Sequence, residues 1–136
     1  MRIKYFVILI AIIILVLAGK LLFYERDTTP RPRIQISPMA WDLGRVTEGE
    51  KPENFFKICN LGKAVLDIKS ARPSCSCDTV TLTTDEVAPH GCAIMKVVFD
   101  SQDRAGTVEA WIYVESNDPE QPLVQIKIFA EVTPKR

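Results

Sequence analysis

Four cysteines and one histidine are the residues of this sequence whose types and spacing could carry chemistry. Cys75 and Cys77 lie one residue apart in the segment ARPSCSCDTV, and His90 stands two residues before Cys92. Two thiolates at this spacing suit a soft ion such as Cu(I), with Cys92 or His90 as further ligands. The same two thiols also suit a redox role. One interpretation is therefore a Cu(I)-binding or redox site built from Cys75, Cys77, Cys92 and His90.

A structural disulfide is the competing interpretation of the same cysteines. In an oxidising compartment Cys92 would pair with Cys75 or Cys77 and stabilise the fold by about 2–4 kcal/mol. Unpaired thiols are a third interpretation. Cys59 lies in the alternating segment NFFKICN on the face opposite to Phe56 and Ile58. We therefore expect Cys59 to point away from the core and to take no part in a bridge.

The motifs give no support to hydrolytic chemistry. There is one histidine, and the sequence has neither GxSxG nor HExxH, so a Ser-His-Asp triad or a histidine-rich zinc site is not expected. The segment Asn117–Glu120 could offer oxygens to calcium, but it also has the composition of a tight turn. Basic and acidic residues both number 17, which argues against a nucleic-acid partner. We expect a protein that is not an enzyme and needs no cofactor.

The first two dozen residues form an apolar segment unlike the rest of the chain. Phe6 to Ala18 is an unbroken apolar run after Arg2 and Lys4, and the apolar character resumes after Lys20. A helix of about 18 residues is about 27 Å long, close to the thickness of a hydrocarbon core. We predict a signal anchor over residues 1–24, with a peptide cleaved after Ala18 as the alternative. Both place the remaining chain in the periplasm or outside the cell, and the anchor makes it a single-pass protein of the inner membrane.

A linker and one domain follow the apolar segment. Residues 25–33, ERDTTPRPR, contain two prolines and no apolar residue, so they are expected to run extended. After them the hydrophobic period becomes two, which indicates strands with one buried face. The alternating segments are Ile34–Ile36, Phe56–Ile58, Leu66–Ile68, Val80–Leu82, Ala93–Phe99, Val108–Val114 and Val124–Val132. This pattern predicts an all-β fold, an Ig-like antiparallel β-sandwich of about seven strands over residues 34–136.

Several short motifs recur in a fixed order along this domain. They include WDLG at Trp41–Gly44, SCSC at Ser74–Cys77, the pair Pro89 and Gly91, and SNDP at Ser116–Pro119. In this order, residues 34–132 resemble a bacterial family of domains of unknown function, the one numbered 1573, which is similar to hydin-type and major-sperm-protein-type Ig-like domains. The resemblance implies an Ig-like fold and an extracytoplasmic setting, without an activity. Ser76 stands where the family has glycine, and a positive φ there would strain serine.

The sequence leaves two functions to compare. The first is a binding or scaffold module, tethered to the membrane by its N-terminal helix, that recognises an envelope protein through a sheet face or an edge strand. The second is the thiol site at Cys75 and Cys77. Because Pro73 ends the preceding strand, we expect both sulfurs in a loop at one end of the sandwich. Trp41, Trp111 and Tyr113 are either an exposed binding face or packing inside the sandwich. Because Trp111 and Tyr113 alternate with aliphatic residues, one set must face away from the core.

Overall fold

The computed structural model describes residues 2–22 and 29–135. The apolar N-terminal segment forms helix α1, Arg2–Leu22, with Lys20 in its last turn. Its large apolar side chains from Tyr5 to Leu17 are all exposed. In the described ranges, no helix has the length and hydrophobicity needed to cross a membrane. The expected end of the anchor at Tyr24 and the first part of the expected linker, residues 25–28, lie outside the described residues.

The rest of the described chain is built from short strands. Residues 29–135 contain nine strands: β1 Ile34–Ser37, β2 Ala40–Thr47, β3 Glu53–Asn60, β4 Leu66–Pro73, β5 Thr79–Leu82, β6 Glu86–Val87, β7 Cys92–Val98, β8 Gly106–Ser116 and β9 Leu123–Thr133. Each of the seven segments that alternate in the sequence corresponds to one of these strands. The all-β prediction is confirmed.

Two sheets divide the strands between them. One has four strands in the order β1-β3-β7-β5, and the other has five in the order β2-β9-β8-β4-β6. All described pairings are antiparallel except that of β2 with β9, which is parallel. The longest pairing joins β8 and β9, from Gly106 to Glu115 on β8. The molecule is therefore a sandwich of two sheets with a single core.

The core lies between the inner faces of the two sheets. Buried and exposed positions alternate along β1, β3, β7 and β9, because successive side chains of a strand point to opposite faces. Phe56 and Phe99 come from the four-stranded side, and Ile112 and Ile126 come from the five-stranded side. All four are fully buried. Burial of aliphatic and aromatic side chains from both faces holds the sheets together.

The expected number of strands was too low because β2 and β6 lack a clear alternation. In β2 the pairing with β9 shifts register between Asp42 and Arg45, and Gly44 in the bulge has a φ of 61°. Trp41 and Leu43 alternate with exposed residues, but the bulge interrupts this pattern before the buried Val46, so the period of two is not continuous along the strand. The other missed strand, β6, has two residues. A bulge interrupts the alternation of a strand, and a strand of two residues is too short to show one.

Strand directions give the sandwich two distinct ends. At one end, β3 finishes at Asn60, and residues 31–33 of the linker lie beside it: Leu61 N–H donates to Arg33 C=O at 2.7 Å, and Lys63 N–H donates to Arg31 C=O at 2.9 Å. We call this the linker end. The opposite end carries the start of β3 at Glu53 and the end of β7 at Val98, which pair with each other. The last part of the expected extended linker is thus fixed against the domain.

A single buried amide organises the linker end. The side chain of Asn60 accepts hydrogen bonds from Arg33 N–H at 3.2 Å and Gly62 N–H at 2.9 Å. Its Nδ2 donates to the carbonyls of Ala64 at 2.7 Å and Val87 at 3.0 Å. Asn60 is fully buried, so all its hydrogen-bonding capacity is used inside the protein. This side chain ties the linker, the β3–β4 connection and β6 together.

Candidate functional site

The segment Ser74–Asp78, here called the thiol loop, carries the cysteine pair Cys75 and Cys77. It begins where β4 ends at Pro73 and crosses from the five-stranded sheet to β5 in the four-stranded sheet. Ser74 N–H donates to Trp111 C=O at 2.7 Å, and Trp111 N–H donates to Ser74 Oγ at 2.9 Å. The expectation that both sulfurs belong to a loop at one end of the sandwich is confirmed. The loop lies toward the end opposite the linker.

The two sulfurs of the thiol loop are bonded to each other. Cys75 and Cys77 form a disulfide, and both residues are half-buried. Cys77 N–H points at Cys75 Sγ with a separation of 3.4 Å, and Asp78 N–H donates to Cys75 C=O at 3.2 Å. Ser76 is exposed and is not in the left-handed region, so serine is tolerated at this position. The loop is a tight turn that presents the disulfide close to solvent.

A buried ion pair holds the base of the thiol loop. The side chain of Asp78 is fully buried, and its Oδ1 accepts from Arg104 Nη1 at 2.8 Å and from Asp100 N–H at 3.1 Å. The Arg104 guanidinium stacks 4.6 Å from the centroid of the Phe99 ring. Burial raises the pKa of Asp78 above its ordinary value, and the hydrogen bond from Asp100 and the charge of Arg104 offset part of this rise. The turn is therefore anchored to the β7–β8 connection.

The second disulfide joins Cys59 to Cys92 and corrects the expected pairing. Neither Cys75 nor Cys77 bonds to Cys92, and Cys59 is not left unpaired. Cys59 does point away from the core, as expected, but Cys92 stands directly opposite it on β7. Their Cα atoms are 4.1 Å apart. Two side chains that face each other across antiparallel strands lie on the same face, so these two sulfurs meet on the outer face of the four-stranded sheet.

The four expected metal ligands do not form one group. Cys92 is at the linker end of β7, whereas Thr79, which follows the thiol loop, pairs with Val98 at the other end of the same strand. Val98 lies six positions along β7 from Cys92, a distance of about 20 Å. Among the residues that the structure describes, no cluster of three or more His, Cys, Asp or Glu side chains could hold a metal ion. Of the expected set, the structure brings together Cys75 and Cys77.

His90 has a backbone role in the turn before β7. It is exposed, and its φ of 62° places it in the left-handed region. Its N–H donates to Asn60 C=O at 2.9 Å, and Gly91 N–H donates to Ala88 C=O at 2.9 Å. A left-handed residue here lets the chain reverse into β7 while it keeps the hydrogen bond to β3. His90 therefore lies with Cys92 at the linker end, away from Cys75 and Cys77.

The two disulfides differ in what they contribute to stability. The Cys59–Cys92 bridge has a sequence separation of 33, and the Cys75–Cys77 bridge has a separation of 2. In the chain-entropy model the first restricts the unfolded chain by about 3.7 kcal/mol and the second by about 1.5 kcal/mol. The long-range bridge is the structural one. Exposure does not separate the two, because Cys92 is exposed and Cys75 and Cys77 are half-buried; the short bridge is the better candidate for chemistry because it contributes less to stability.

An aromatic strip lies on the outer face of the five-stranded sheet and adjoins the thiol loop, because Trp111 is hydrogen-bonded to Ser74. It consists of Trp111, Tyr113 and Phe129, all half-buried. Lys127 covers part of Trp111, with Nζ 5.6 Å from the ring, and also contacts Glu109 Oε1 at 2.9 Å. Trp41 belongs elsewhere: it packs edge-on against Phe56 at 6.4 Å and borders the core. The expected aromatic face thus keeps two of its three members and gains Phe129.

The segment Asn117–Glu120 is a turn whose carboxylate is used by the protein itself. Asp118 is buried, and its Oδ2 accepts from Ile34 N–H at 2.8 Å. Its Oδ1 accepts from Glu120 N–H at 2.8 Å and from Gln121 N–H at 3.2 Å. Asp118 therefore fixes the first strand to the β8–β9 connection. Nothing in the sequence pattern signalled this contact, which spans 84 residues.

Two shallow clefts flank this turn at the linker end. One, of about 220 Å³, lies between Leu61 and Asp118, and the other, of about 310 Å³, lies between Met39 and Leu123. Both are lined by Glu120 and Gln121. The apolar side chains at their rims are about half exposed. These clefts carry no residue set with evident chemistry.

Comparison with known proteins agrees with this architecture. A Porphyromonas gingivalis W83 protein of unknown function is similar at 26% identity and a TM-score of 0.67, over 74% of this chain and 46% of that one. The present chain therefore spans less than half of that protein. The ASH/PapD-like domain 7 of human CEP192 is similar at 12% identity and a TM-score of 0.59, over 78% of this chain and 89% of that domain. The YadV chaperone is similar at 16% identity and a TM-score of 0.55, over 73% and 51%.

The last two similarities are of fold alone. No curated protein matches the chain significantly. A family model does match: it is described as a protein of unknown function, DUF1573, and it covers residues 34–132, which is the sandwich from the start of β1 to the next-to-last residue of β9. The chain belongs to the DUF1573 family.

Proposed function

We propose that this chain is a non-enzymatic Ig-like binding or scaffold module that recognises an envelope protein from the outer face of the inner membrane. The observation that carries this proposal is the aromatic strip. Trp111, Tyr113 and Phe129 are three half-buried aromatic side chains on the same outer sheet face, and Trp111 and Phe129 are diagonal neighbours across β8 and β9. Aromatic residues with a polar rim are enriched where proteins bind one another. Glu109, Lys127 and Glu115 provide such a rim.

The N-terminal segment supports the extracytoplasmic part of the proposal. Helix α1 exposes large apolar side chains, with fractions between 44% at Ile10 and 75% at Leu15. In the sequence the apolar character continues to Tyr24. Such a surface is suited to insertion into lipid or to removal as a leader. The linker meets the sandwich at the Asn60 end, so a tether there would leave the thiol loop and the adjoining strip directed away from the membrane.

Site-specific photocrosslinking in the native envelope tests the binding function. A photoreactive residue at Gln125, which pairs with Tyr113, should give a discrete adduct with one envelope protein. The matched control is Gln35, which is exposed on β1 of the other sheet and should give none. Trp111→Ala should abolish the Gln125 adduct without changing the melting temperature by more than a few degrees. Adducts of equal yield at both positions, or none at Gln125, would contradict the proposal.

The tether has its own test. Intact mass of the exported protein should correspond to a chain beginning at Met1 for an anchor or at Gly19 for a cleaved leader. Lys20→Leu should strengthen membrane retention of an anchored chain, because a lysine near the hydrocarbon core costs up to about 3 kcal/mol. A folded domain recovered from the cytoplasm would contradict both forms.

A thiol–disulfide function is the second candidate, and the Cys75–Cys77 disulfide is the observation that favours it. The bridge is half-exposed, and its opening would remove about 1.5 kcal/mol of stability from the fold. Its reduced form would also leave two adjacent thiolates, the part of the expected Cu(I) site that stays together. By contrast, opening Cys59–Cys92 would remove about 3.7 kcal/mol of stability.

A dithiothreitol titration of the full chain separates the two bridges. Alkylation and peptide mapping should show Cys75 and Cys77 reduced at lower concentrations than Cys59 and Cys92, because opening the short bridge removes less stability from the fold. The protein should stay folded after the first step. Simultaneous reduction of both bridges, or earlier reduction of Cys59–Cys92, would rule out a dedicated thiol site.

A further inference from the structure

Strand β8 is longer than the neighbour on one of its sides. Along β9 it is paired from Gly106 to Glu115. On the other side, β4 pairs with it from Ser116 to Ile112, and Ser74 extends this contact to Trp111. The chain then turns away into the thiol loop. Within residues 29–135, no strand lies on that side of Thr107–Ala110.

The free side of this segment exposes main-chain hydrogen-bonding groups. Trp111 directs both its N–H and its C=O toward Ser74. Because alternate residues of a strand direct these groups to the same side, Glu109 and Thr107 direct theirs to the open side. Both residues are exposed. The edge therefore offers donors and acceptors in the spacing that another extended chain needs.

The open edge leads directly to the Cys75–Cys77 disulfide. An added strand opposite Glu109 and Thr107 would continue the line that β4 leaves at Ser74. Ser74 lies opposite Trp111, and Glu109 is two residues before Trp111 on β8. A residue of the added strand opposite Glu109 would therefore lie about 7 Å from Ser74. The residue after Ser74 is Cys75. A cysteine near the end of the added strand would thus stand beside the disulfide.

The contacts of the disulfide indicate which sulfur is released. Cys77 N–H approaches Cys75 Sγ at 3.4 Å, and a hydrogen bond to a thiolate favours its charged form. An incoming thiolate would therefore attack Cys77 Sγ, and the electron pair of the Cys75–Cys77 bond would pass to Cys75. This step gives a mixed disulfide between the first incoming sulfur and Cys77 Sγ. A second thiolate of the same incoming chain would then attack that first incoming sulfur and release Cys77 as a thiolate.

We propose that the open edge of β8 at Thr107–Ala110 docks an extended polypeptide with a cysteine pair, whose thiols exchange with the Cys75–Cys77 disulfide. The polypeptide dithiol loses two electrons and becomes a disulfide. Cys75 and Cys77 gain the two electrons, and the two protons of the polypeptide thiols end on them. This inference rests on the thiol function proposed above and adds its substrate class.

Rates of disulfide reduction in the full chain test the docking step. The probes are a reduced peptide of alternating valine and threonine with a Cys-x-x-Cys end, the same peptide N-methylated at alternate amides, and dithiothreitol. The unmodified peptide should reduce Cys75–Cys77 about tenfold faster than the N-methylated one, because two or three main-chain hydrogen bonds are lost. The N-methylated peptide leaves the protein unchanged, so no folding defect enters this comparison.

Substitution of the edge provides the second measurement. Thr107→Pro removes an N–H that points to the open side and is of the kind that edge strands tolerate. It should slow the unmodified peptide about tenfold and leave the dithiothreitol rate unchanged. Equal rates for the two peptides, with dithiothreitol still selective for Cys75–Cys77, would overturn the docking inference alone. Failure of dithiothreitol to select Cys75–Cys77 would overturn the thiol function itself.

Discussion

Cys59 and Cys92 face each other across β3 and β7, and their sulfurs are bonded on the outer face of the four-stranded sheet. The bond lies one residue from Asn60, whose backbone pairs with Gly91 and His90. The covalent link between the two strands therefore lies at the linker end. The thiol loop, at the other end, is held by an ion pair and by Ser74 instead.

Loss of the long-range bridge should destabilise the oxidised protein more than loss of the short one. Cys59→Ser and Cys92→Ser should each lower the free energy of unfolding by about 3–4 kcal/mol, and each should leave one thiol open to labelling. Cys75→Ser should cost about 1.5 kcal/mol. Urea denaturation of the oxidised variants measures these differences. Equal losses at Cys59 and Cys75 would contradict the division into a structural and a functional bridge.

Substitution of Asn60 should be among the most damaging polar changes in the domain. Asn60→Asp keeps the acceptor for Arg33 and Gly62 but removes both donors to Ala64 and Val87, and it buries a charge. We expect a loss of about 3–5 kcal/mol. Asn54→Asp is the matched control near the surface of the same strand and should change stability by about 0.5 kcal/mol or less. A similar effect at both positions would show that the amide network is not what matters.

Two aspartates near the thiol loop should give stability opposite dependences on pH. Burial raises the pKa of Asp78 above 3.8, so the folded state binds the proton of this carboxyl more tightly than the unfolded chain does. The stability that this group contributes is therefore present at low pH and falls as the pH rises above 3.8. The hydrogen bond from Lys51 lowers the pKa of Asp100, so its contribution is present above 3.8 and is lost as pH falls.

Variants at these two positions separate the effects. Asp78→Asn should reduce the decline in stability that accompanies a rise in pH above 3.8, and it keeps an oxygen that can accept from Asp100 N–H and Arg104. Asp100→Asn should lose stability at neutral pH and less at low pH. Chemical denaturation across this range measures both. If stability changed with pH in the same way in both variants, the pKa values of Asp78 and Asp100 would not be shifted in opposite directions.

Gly62 should not tolerate a side chain because the linker passes against it. A Cβ at this position would overlap the backbone carbonyl of Arg31 and the nitrogen of Arg33. Gly62→Ala should therefore cost about 1–3 kcal/mol and detach the linker from the domain. Hydrogen exchange at Leu61 and Lys63, whose amides donate to Arg33 and Arg31, reports the detachment. Leu61→Ala, a change at an exposed side chain, is the control and should preserve their protection.

The sequence predicted the sandwich because its core strands keep a strict period of two. Phe56 and Ile58 on β3, and Ile126 and Ile128 on β9, are buried at the alternating positions where they were expected. The pattern failed at β2, where a bulge at Gly44 removes the alternation. The parallel pairing of β2 with β9 joins residues far apart in the sequence, and no local pattern predicts it.

The cysteine pairing could not be read from spacing for a related reason. Register determines which residue of β7 stands opposite Cys59, and a shift of one residue would have placed Cys92 on another face. The sequence did indicate that Cys59 points outward and that Cys75 and Cys77 occupy a loop. The roles of Asn60 and Asp118 depend on contacts that span up to 84 residues, and their residue types alone gave no signal.

The Cys59–Cys92 bond also decides how the domain would respond to mechanical load. Tension between the two chain ends would pass from Cys59 through the sulfurs to Cys92 and bypass residues 60–91. Strands β4, β5 and β6 and the thiol loop all lie in that bypassed segment. The other strands lie outside that segment and could still be peeled from the fold under load. A pull on a tethered chain would therefore leave the Cys75–Cys77 turn inside a closed covalent ring that cannot be extended.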